Sequence, residues 1–340
     1  MNFNGRSIII LRLAIPSDGE LYEPTLSFLR SCGINAERPS PRRYTAAISS
    51  MPNTTVLFQR AGDIPARIEE GSADLGITGL DRYLESNIGS GESTLVVSDL
   101  GFSKCNLVMA VPDSWIDVIS MADLADVSID MHEKGTDLRV ATKFPNLVQR
   151  HLFLNGVNYF SLIQSSGTLE AAPIMGFADI ISDISSSGTT LRENRLKTIE
   201  SGLLLSSQAC LIGNKSSLSN SDELEFDVKY LLEHIEGYIR SKEFFLVTAN
   251  IKGDSAEDIA DKVLKNEKLS GLRGPTIAKV HTRDGDSWYA VTIVIPKGNL
   301  MEVVGYLRET GGSSVTVNQA HYVFQKECFA YNSLLTSLGK

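Results

Sequence analysis

Over roughly its first 212 residues the chain alternates short β-branched runs with stretches of helical spacing, and this alternation admits few architectures. Strands are expected at Ile8–Ile15, Thr54–Gln59, Asp74–Thr78, Leu95–Asp99, Asn106–Val111, Leu138–Thr142, Tyr159–Gln164 and Ala178–Ile184. Helices are expected between them, near Leu21–Cys32, Ile64–Gly71, Leu80–Ser86, Pro145–Asn155, Thr168–Gly176 and Thr190–Leu196. Such an order implies an α/β fold with largely parallel sheets. There are too many strands for one small sheet, so two lobes with a cleft between them are expected. The chain would cross near Val111-Pro112 and return after Leu196, adding Thr198–Ile212 to the first lobe.

Beyond this part, Gly213 to Ser221 is polar and turn-rich and reads as a loop, followed by a helix over Asp222–Lys242. The pattern then becomes strand Phe244–Ile251, helix Ser255–Asn266, strands Pro275–Thr282 and Ser287–Ile295, helix Leu300–Thr310 and strand Ser314–Phe324. That order is βαββαβ, a ferredoxin-like unit, with Asp284-Gly285 suited to the hairpin turn between its middle strands. The expected boundaries are therefore 1–111 with 197–221 for the first lobe, 112–196 for the second, 222–242 for a connecting helix and 243–340 for the small domain.

The densest chemical signal is Asp183-Ile184-Ser185-Ser186-Ser187-Gly188-Thr189-Thr190-Leu191. A strand feeding a hydroxyl-rich turn and then a helix directs unpaired backbone N–H groups at one spot, which attracts phosphate. Gly188 permits close backbone approach, and Thr190 to Glu193 fits a capping box that would start the helix there. Asp179 and Asp183 are spaced for the same face of a strand, and Asp183 at its end suits ribose hydroxyls. An acid followed by such a loop resembles the element that binds phosphoribosyl pyrophosphate (PRPP) in phosphoribosyltransferases. A capped strand-to-helix turn is the plainer alternative.

Composition narrows the partners. The formal net charge of −9 argues against nucleic acid, whose affinity rests on clustered Lys and Arg. Four widely spaced cysteines show neither a metal-ligand spacing nor a disulfide framework, and reduced thiols in a cytoplasmic protein are expected. No apolar run reaches the roughly 20 residues that span a bilayer, so no membrane is expected as a partner. No Ser/His/Asp or Cys/His arrangement marks a catalytic nucleophile.

Several segments together resemble the long form of ATP phosphoribosyltransferase, the first enzyme of histidine biosynthesis. They are Arg60 to Pro65, Glu70 to Gly79, Leu138 to Leu147, Ser166 to Pro173 and the phosphate loop, in the family's order, with Gly311-Gly312-Ser313-Ser314-Val315 matching its regulatory domain. The resemblance implies a two-lobed catalytic part like periplasmic-binding-protein folds and an ACT-like C-terminal domain. It also implies transfer of the phosphoribosyl group of PRPP to N1 of ATP, with Mg2+ accompanying the pyrophosphate, feedback inhibition by L-histidine and a homo-oligomer, expected to be a hexamer.

Carried over onto this chain, Ser186, Ser187, Gly188, Thr189 and Thr190 hold the 5′-phosphate and Asp183 the ribose hydroxyls. Glu170 and Asp179 are candidates for ribose or magnesium, the magnesium ligands remaining otherwise open. Asp74, Gly76, Ile77, Thr78 and Gly79 would line the ATP side of the cleft. Arg60, Thr142 and Lys143 are candidates for pyrophosphate or triphosphate, although Arg60 with Asp63 is also readable as a structural ion pair. The chain departs from the family after the first strand, where Asp18-Gly19-Glu20 stands in place of basic residues flanking the glycine. Arg12, Arg42 or Arg43 are candidates to compensate. The alternating pattern also fits a two-lobed sensor or solute-binding protein, and the acidic departure keeps open a nonenzymatic regulatory relative. The segment 128–135 is longer than a simple connection and has no assigned task.

Overall fold

Leu11, Leu13, Ala14 and Ile15 are fully buried, because the run they belong to lies in the interior of a sheet with parallel neighbours on both sides. The computed structural model describes residues 10–38, 40, 42–87, 89, 91–164, 169–219, 222–266, 271–283 and 285–340. Residues 1–9, including the start of the expected first strand, residues 165–168 of the Ser166–Pro173 segment and Asp284 of the hairpin turn lie outside the described residues.

Residues up to Tyr230, together with Ala330–Lys340, form one unit, and Leu231–Phe329 the other. The first unit holds strands β1 (Leu11–Pro16), β2 (Ala36–Glu37), β3 (Thr45–Ile48), β4 (Met51–Gln59), β5 (Leu75–Gly79), β6 (Ser93–Val97), β7 (Cys105–Pro112), β8 (Leu138–Thr142), β9 (Phe160–Gln164), β10 (Ile180–Ser185), β11 (Leu196–Ser207) and β12 (Ala209–Asn214). Its helices are α1 (Tyr22–Ser31), α2 (Ile64–Glu69), α3 (Leu80–Ser86), α4 (Met121–Glu133), α5 (Pro145–Leu154), α6 (Thr189–Glu193) and α7 (Lys215–Ser219). Helix α8 (Asp222–Ser241) runs through the division at Tyr230.

Two sheets make the two lobes, in the orders β2-β3-β4-β1-β5-β12-β6 and β11-β7-β10-β8-β9. Both are mixed rather than largely parallel. Strands β4, β1 and β5 run parallel, as do β10, β8 and β9, and antiparallel strands complete each sheet. The chain passes between lobes through Ser98–Lys104 and returns at Gln208, not near Val111-Pro112 and Leu196. β7 and β11 pair with each other at one edge of the second sheet, so both belong to the second lobe. Where the connections meet they are tied by Leu100 N–H to Ala209 O (2.9 Å) and Ala209 N–H to Phe102 O (3.1 Å).

Strands β2 and β3, helices α4 and α7 and a helix over Phe329–Ser337 were not anticipated from the sequence. Strands β2 and β3 extend the first sheet beyond β4. Helix α4 absorbs most of the unassigned 128–135 segment, and Ser120 and Asp123 form its capping box. Gly213 and Asn214 close β12 and Lys215–Ser219 is helical, where a loop was expected; Asn220 and Ser221 lie outside the described residues.

The second unit has β13 (Phe244–Lys252), α9 (Ala256–Val263), β14 (Thr276–Val280), β15 (Trp288–Pro296), α10 (Leu300–Glu309) and β16 (Gly312–Asn318). The sheet order β14-β15-β13-β16, with every pairing antiparallel, is the expected ferredoxin-like arrangement. Val247, Ala249, Ile251, Val291, Ile293 and Ile295 alternate onto the face covered by Ile259, Val263, Val303 and Leu307. The last strand ends at Asn318 rather than Phe324. Helix α11 (Phe329–Ser337) lies almost wholly within the first unit, where Tyr331 Oη donates to Glu225 Oε1 (2.8 Å), although 243–340 was expected as one domain.

Candidate functional site

Strand β10 delivers Asp183 and then Ser186-Ser187-Gly188 to a cleft of about 940 Å³ between the two sheets. Gly188 adopts φ +72°, a left-handed conformation that side-chain-bearing residues resist, and it directly precedes α6. The expected Thr190–Glu193 capping box does not form; the helix begins at Thr189 without a side-chain cap. The turn is held by other bonds. Gly188 N–H donates to Ser185 Oγ (3.0 Å), and Ser187 Oγ donates to Thr189 Oγ1 (2.9 Å). Leu191, 5% exposed, anchors α6 in the core and leaves Thr189 and Thr190 on the cleft wall.

Asp183 is a carboxylate shifted by its surroundings. Burial pushes its pKa above the ordinary 3.8, opposed by the Ile184 N–H bond (2.8 Å) and the Lys143 charge and reinforced by Glu170. Glu170 and Lys143 line the same cleft, as do Arg60 and Gly79. Glu170 sits in a 3-10 turn, Leu169–Ala171, rather than in the α-helix expected over Thr168–Gly176. Arg60 makes no ion pair with Asp63 among the described residues; the Arg60 carbonyl accepts Asp63 N–H in a turn (2.9 Å).

Other expected site residues lie away from the cleft wall. Asp74 is 2% exposed and precedes β5, whose far end is the one facing the cleft. Its carboxylate accepts from Arg12 N (2.7 Å), Nε (3.1 Å) and Nη2 (2.6 Å), so Asp74 and Arg12 are structural partners. Asp179 repeats the arrangement before β10, accepting from Arg139 N (2.8 Å), Nε (3.2 Å) and Nη2 (2.8 Å). Neither carboxylate is placed for ribose, ATP or magnesium, because each belongs to the strand end opposite the cleft.

Gly76 and Ile77 are core positions; a Cβ on Gly76 would fall 2.6 Å from Ile64 Cγ2, and Ile77 is fully buried. Thr78 supports the cleft indirectly, its Oγ1 donating to the Ala61 carbonyl (2.8 Å) of the turn that follows Arg60. Thr142 likewise spends its hydroxyl inside the turn, accepting Phe144 N–H (3.0 Å). Arg43, a proposed compensating cation, belongs to a separate depression with Arg38, Thr45 and Thr55. Asp18 and Glu20, by contrast, do line the cleft.

The sequence reading missed Asp81, Arg82, Lys104 and Cys105, all on the cleft wall. Asp81 is 4% exposed and accepts from Ser207 Oγ (2.6 Å), which in turn accepts Asp81 N–H (3.0 Å). This bond joins the first lobe to the end of β11, so Asp81 holds the lobe junction. The guanidinium of Arg82 stands 4.6 Å from the ring centroid of the buried Phe144 in the second lobe. The rule that open sheets bind ligands beyond the carboxyl ends of their strands pointed to Gly79, and extending it one helical turn would have reached both residues.

Among the described residues, no helix is long and apolar enough to cross a membrane. None forms a cluster of three or more His, Cys, Asp or Glu able to hold a metal ion.

Comparison with known proteins bears on this geometry. A family model described as ATP phosphoribosyltransferase matches residues 60–237. A second, described as HisG, C-terminal domain, matches residues 241–321. ATP phosphoribosyltransferase 2, chloroplastic, of Arabidopsis thaliana is 39% identical over 335 residues, covering 97% of this chain and 81% of the relative. An ATP phosphoribosyltransferase of Nitrobacter hamburgensis is 31% identical over 319 residues, covering 93% and 95%. Among solved structures, the ATP phosphoribosyl transferase (HisG:HisZ) complex from Thermotoga maritima matches with a TM-score of 0.52 at 27% identity, covering 67% of this chain and 99% of that one. With catalytic and C-terminal models matched in order and relatives aligned along nearly the whole length, this chain belongs to the ATP phosphoribosyltransferase family.

Proposed function

We propose that this protein joins ATP to PRPP, giving phosphoribosyl-ATP and pyrophosphate, the first step of L-histidine biosynthesis. The observation that carries the reading is the Ser186–Thr190 loop and Asp183 lining one cleft with Arg60 and Lys143. The loop takes the 5′-phosphate through backbone N–H and hydroxyl groups. Asp183 accepts from ribose hydroxyls. The adenine N1 lone pair then forms a bond to the anomeric carbon as the bond to pyrophosphate oxygen breaks. Because N1 is already nucleophilic, the protein mainly aligns the reactants and neutralises the departing charge, a task for Arg60 and Lys143.

Magnesium fits this donor set as an ion delivered by the substrate rather than caged by the protein. Mg2+ commonly takes one or two carboxylates together with substrate phosphates, and Asp183 and Glu170 line one cleft. Bound there, it would screen the pyrophosphate charge.

The ferredoxin-like unit is proposed to bind L-histidine and inhibit the reaction. Assembly into a homo-oligomer, a hexamer, is proposed from the family likeness; the exposed apolar run of Ile174, Met175 and Phe177 (69%, 66% and 64%) offers a surface for self-association. A cytoplasmic location is proposed with reduced thiols, none of the four cysteines being in a disulfide; two of the relatives, both from Arabidopsis, are named chloroplastic.

Asp18 and Glu20 favour a second reading, a regulatory relative that binds but does not turn over. The deciding experiment incubates purified protein with ATP, PRPP and Mg2+ and follows products by mass spectrometry. Phosphoribosyl-ATP and pyrophosphate in equal amounts are expected. A folded preparation that binds PRPP but makes neither product would leave the regulatory reading.

A further inference from the structure

Helix α5 begins at Pro145 after Phe144, which has no side-chain group to cap the first turn. The cap comes from the other lobe. Glu85, on α3, accepts Asn146 N–H at Oε1 (2.9 Å) and Leu147 N–H at Oε2 (3.0 Å), while Asn146 Nδ2 donates to the Glu85 carbonyl (3.0 Å). A carboxylate at a helix N-terminus gains both from those donors and from the helix dipole. In return, the residue leading into α5 presents its ring to α3, where the Arg82 guanidinium lies over Phe144 at 4.6 Å. Arg82 is further held by Asp81 Oδ2 (3.6 Å).

Both ends of this exchange adjoin cleft cations. Lys143 immediately precedes Phe144, its backbone turn closed by the Thr142 hydroxyl on one side and the capped helix on the other. Arg82 is one turn before Glu85 on the same helix. Arg82 and Lys143 both line the cleft. The contact therefore sets a first-lobe cation and a second-lobe cation at once.

We propose that Glu85 is a positioning residue: its cross-lobe cap on α5, with the reciprocal stacking of Arg82 on Phe144, holds Arg82 and Lys143 as a paired clamp for the polyphosphate of the substrates. This rests on the phosphoribosyl-transfer reading for the identity of the anion. The clamp supplies positive charge in a cleft where Asp18 and Glu20 supply negative.

The test measures inorganic pyrophosphate binding by calorimetry and backbone hydrogen exchange at residues 146–147, on the full chain, in Glu85→Ala, Glu85→Gln, Lys143→Ala with Arg82→Ala, and the triple variant. Loss of a helix cap costs about 1 kcal/mol, which corresponds to roughly fivefold in an equilibrium constant. Glu85→Ala is expected to accelerate exchange and weaken pyrophosphate binding by about that factor, and Glu85→Gln, which keeps an acceptor, to recover part of both. In the background lacking both cations, Glu85→Ala should change binding less than about twofold, since coupled groups are not additive. Unchanged binding in both Glu85 variants, despite faster exchange, would reduce the cap to a structural contact. Unchanged exchange would deny the cap itself. Wild-type protein that binds pyrophosphate but makes no phosphoribosyl-ATP would reject the enzymatic reading and leave this inference to be judged on binding and exchange.

Discussion

The two lobes share one device and differ in another. Each ties an Arg on one strand to an Asp just before its parallel neighbour: Arg12 with Asp74, and Arg139 with Asp179. In each, the Asp N–H also donates to the Arg carbonyl, at 2.9 Å in both. At the opposite strand ends the lobes part company. The second carries the Gly188 loop, and the first carries Asp18-Gly19-Glu20. One end of each sheet is thus spent on stability and the other lines the cleft. A carboxylate's role follows from the end it occupies, which residue type alone does not reveal.

Substitution at Asp74 should have the largest effect. Its side chain is 3% exposed, against 16% for Asp179. Breaking a buried pair costs about 3–5 kcal/mol, and the partial exposure of Arg12 places Asp74→Ala at about 3 kcal/mol in denaturant unfolding. Next comes Gly188→Leu. Nothing lies within 4 Å of where a Cβ would fall, so the cost is conformational, about 1–2 kcal/mol at φ +72°. PRPP binding should weaken roughly tenfold in calorimetry while ATP binding changes less than about twofold. Equal losses for both ligands would dissolve the division of labour between the lobes.

Asp179→Ala should cost only about 1 kcal/mol, because its pair is better solvated. If it matched Asp74→Ala, burial would not be what separates the two staples. The smallest effect is expected at Asp183. Its folded pKa is raised by burial above 3.8, so the folded state binds the proton more tightly than the unfolded chain. The group's penalty is absent below that value, grows as pH rises from 3.8 through the raised pKa, and is fully present above it. Asp183→Asn should therefore raise the neutral-pH Tm slightly while weakening PRPP binding. A lower Tm would mean that the ionised carboxylate stabilises the fold.

The elements were most legible where local pattern and tertiary use agree. Strand β8 runs over Leu138–Thr142 as expected, since it is apolar and flanked by a turn and a Pro-initiated helix. The ferredoxin-like order was readable for the same reason. Helix α4 was missed because Asp and β-branched residues blur its apolar stripe, although Ser120 and Asp123 mark its start. Sheet membership of β7 and β11 was not readable, because strand periodicity says nothing about which sheet a strand joins. Asp81 escaped for a similar reason: its partner, Ser207, is 126 residues away. The Ser186–Thr190 turn stood out because its hydroxyls and glycine are contiguous, whereas Asp74 and Asp179 looked functional until their arginines were placed.

The central claim is tested most directly by the crystal structure of the protein with PRPP bound. The 5′-phosphate is expected against the backbone N–H and hydroxyl groups of Ser186–Thr190, with the ribose hydroxyls on Asp183. A phosphate bound instead beside Arg38 and Arg43, or ribose hydroxyls held away from Asp183, would contradict it.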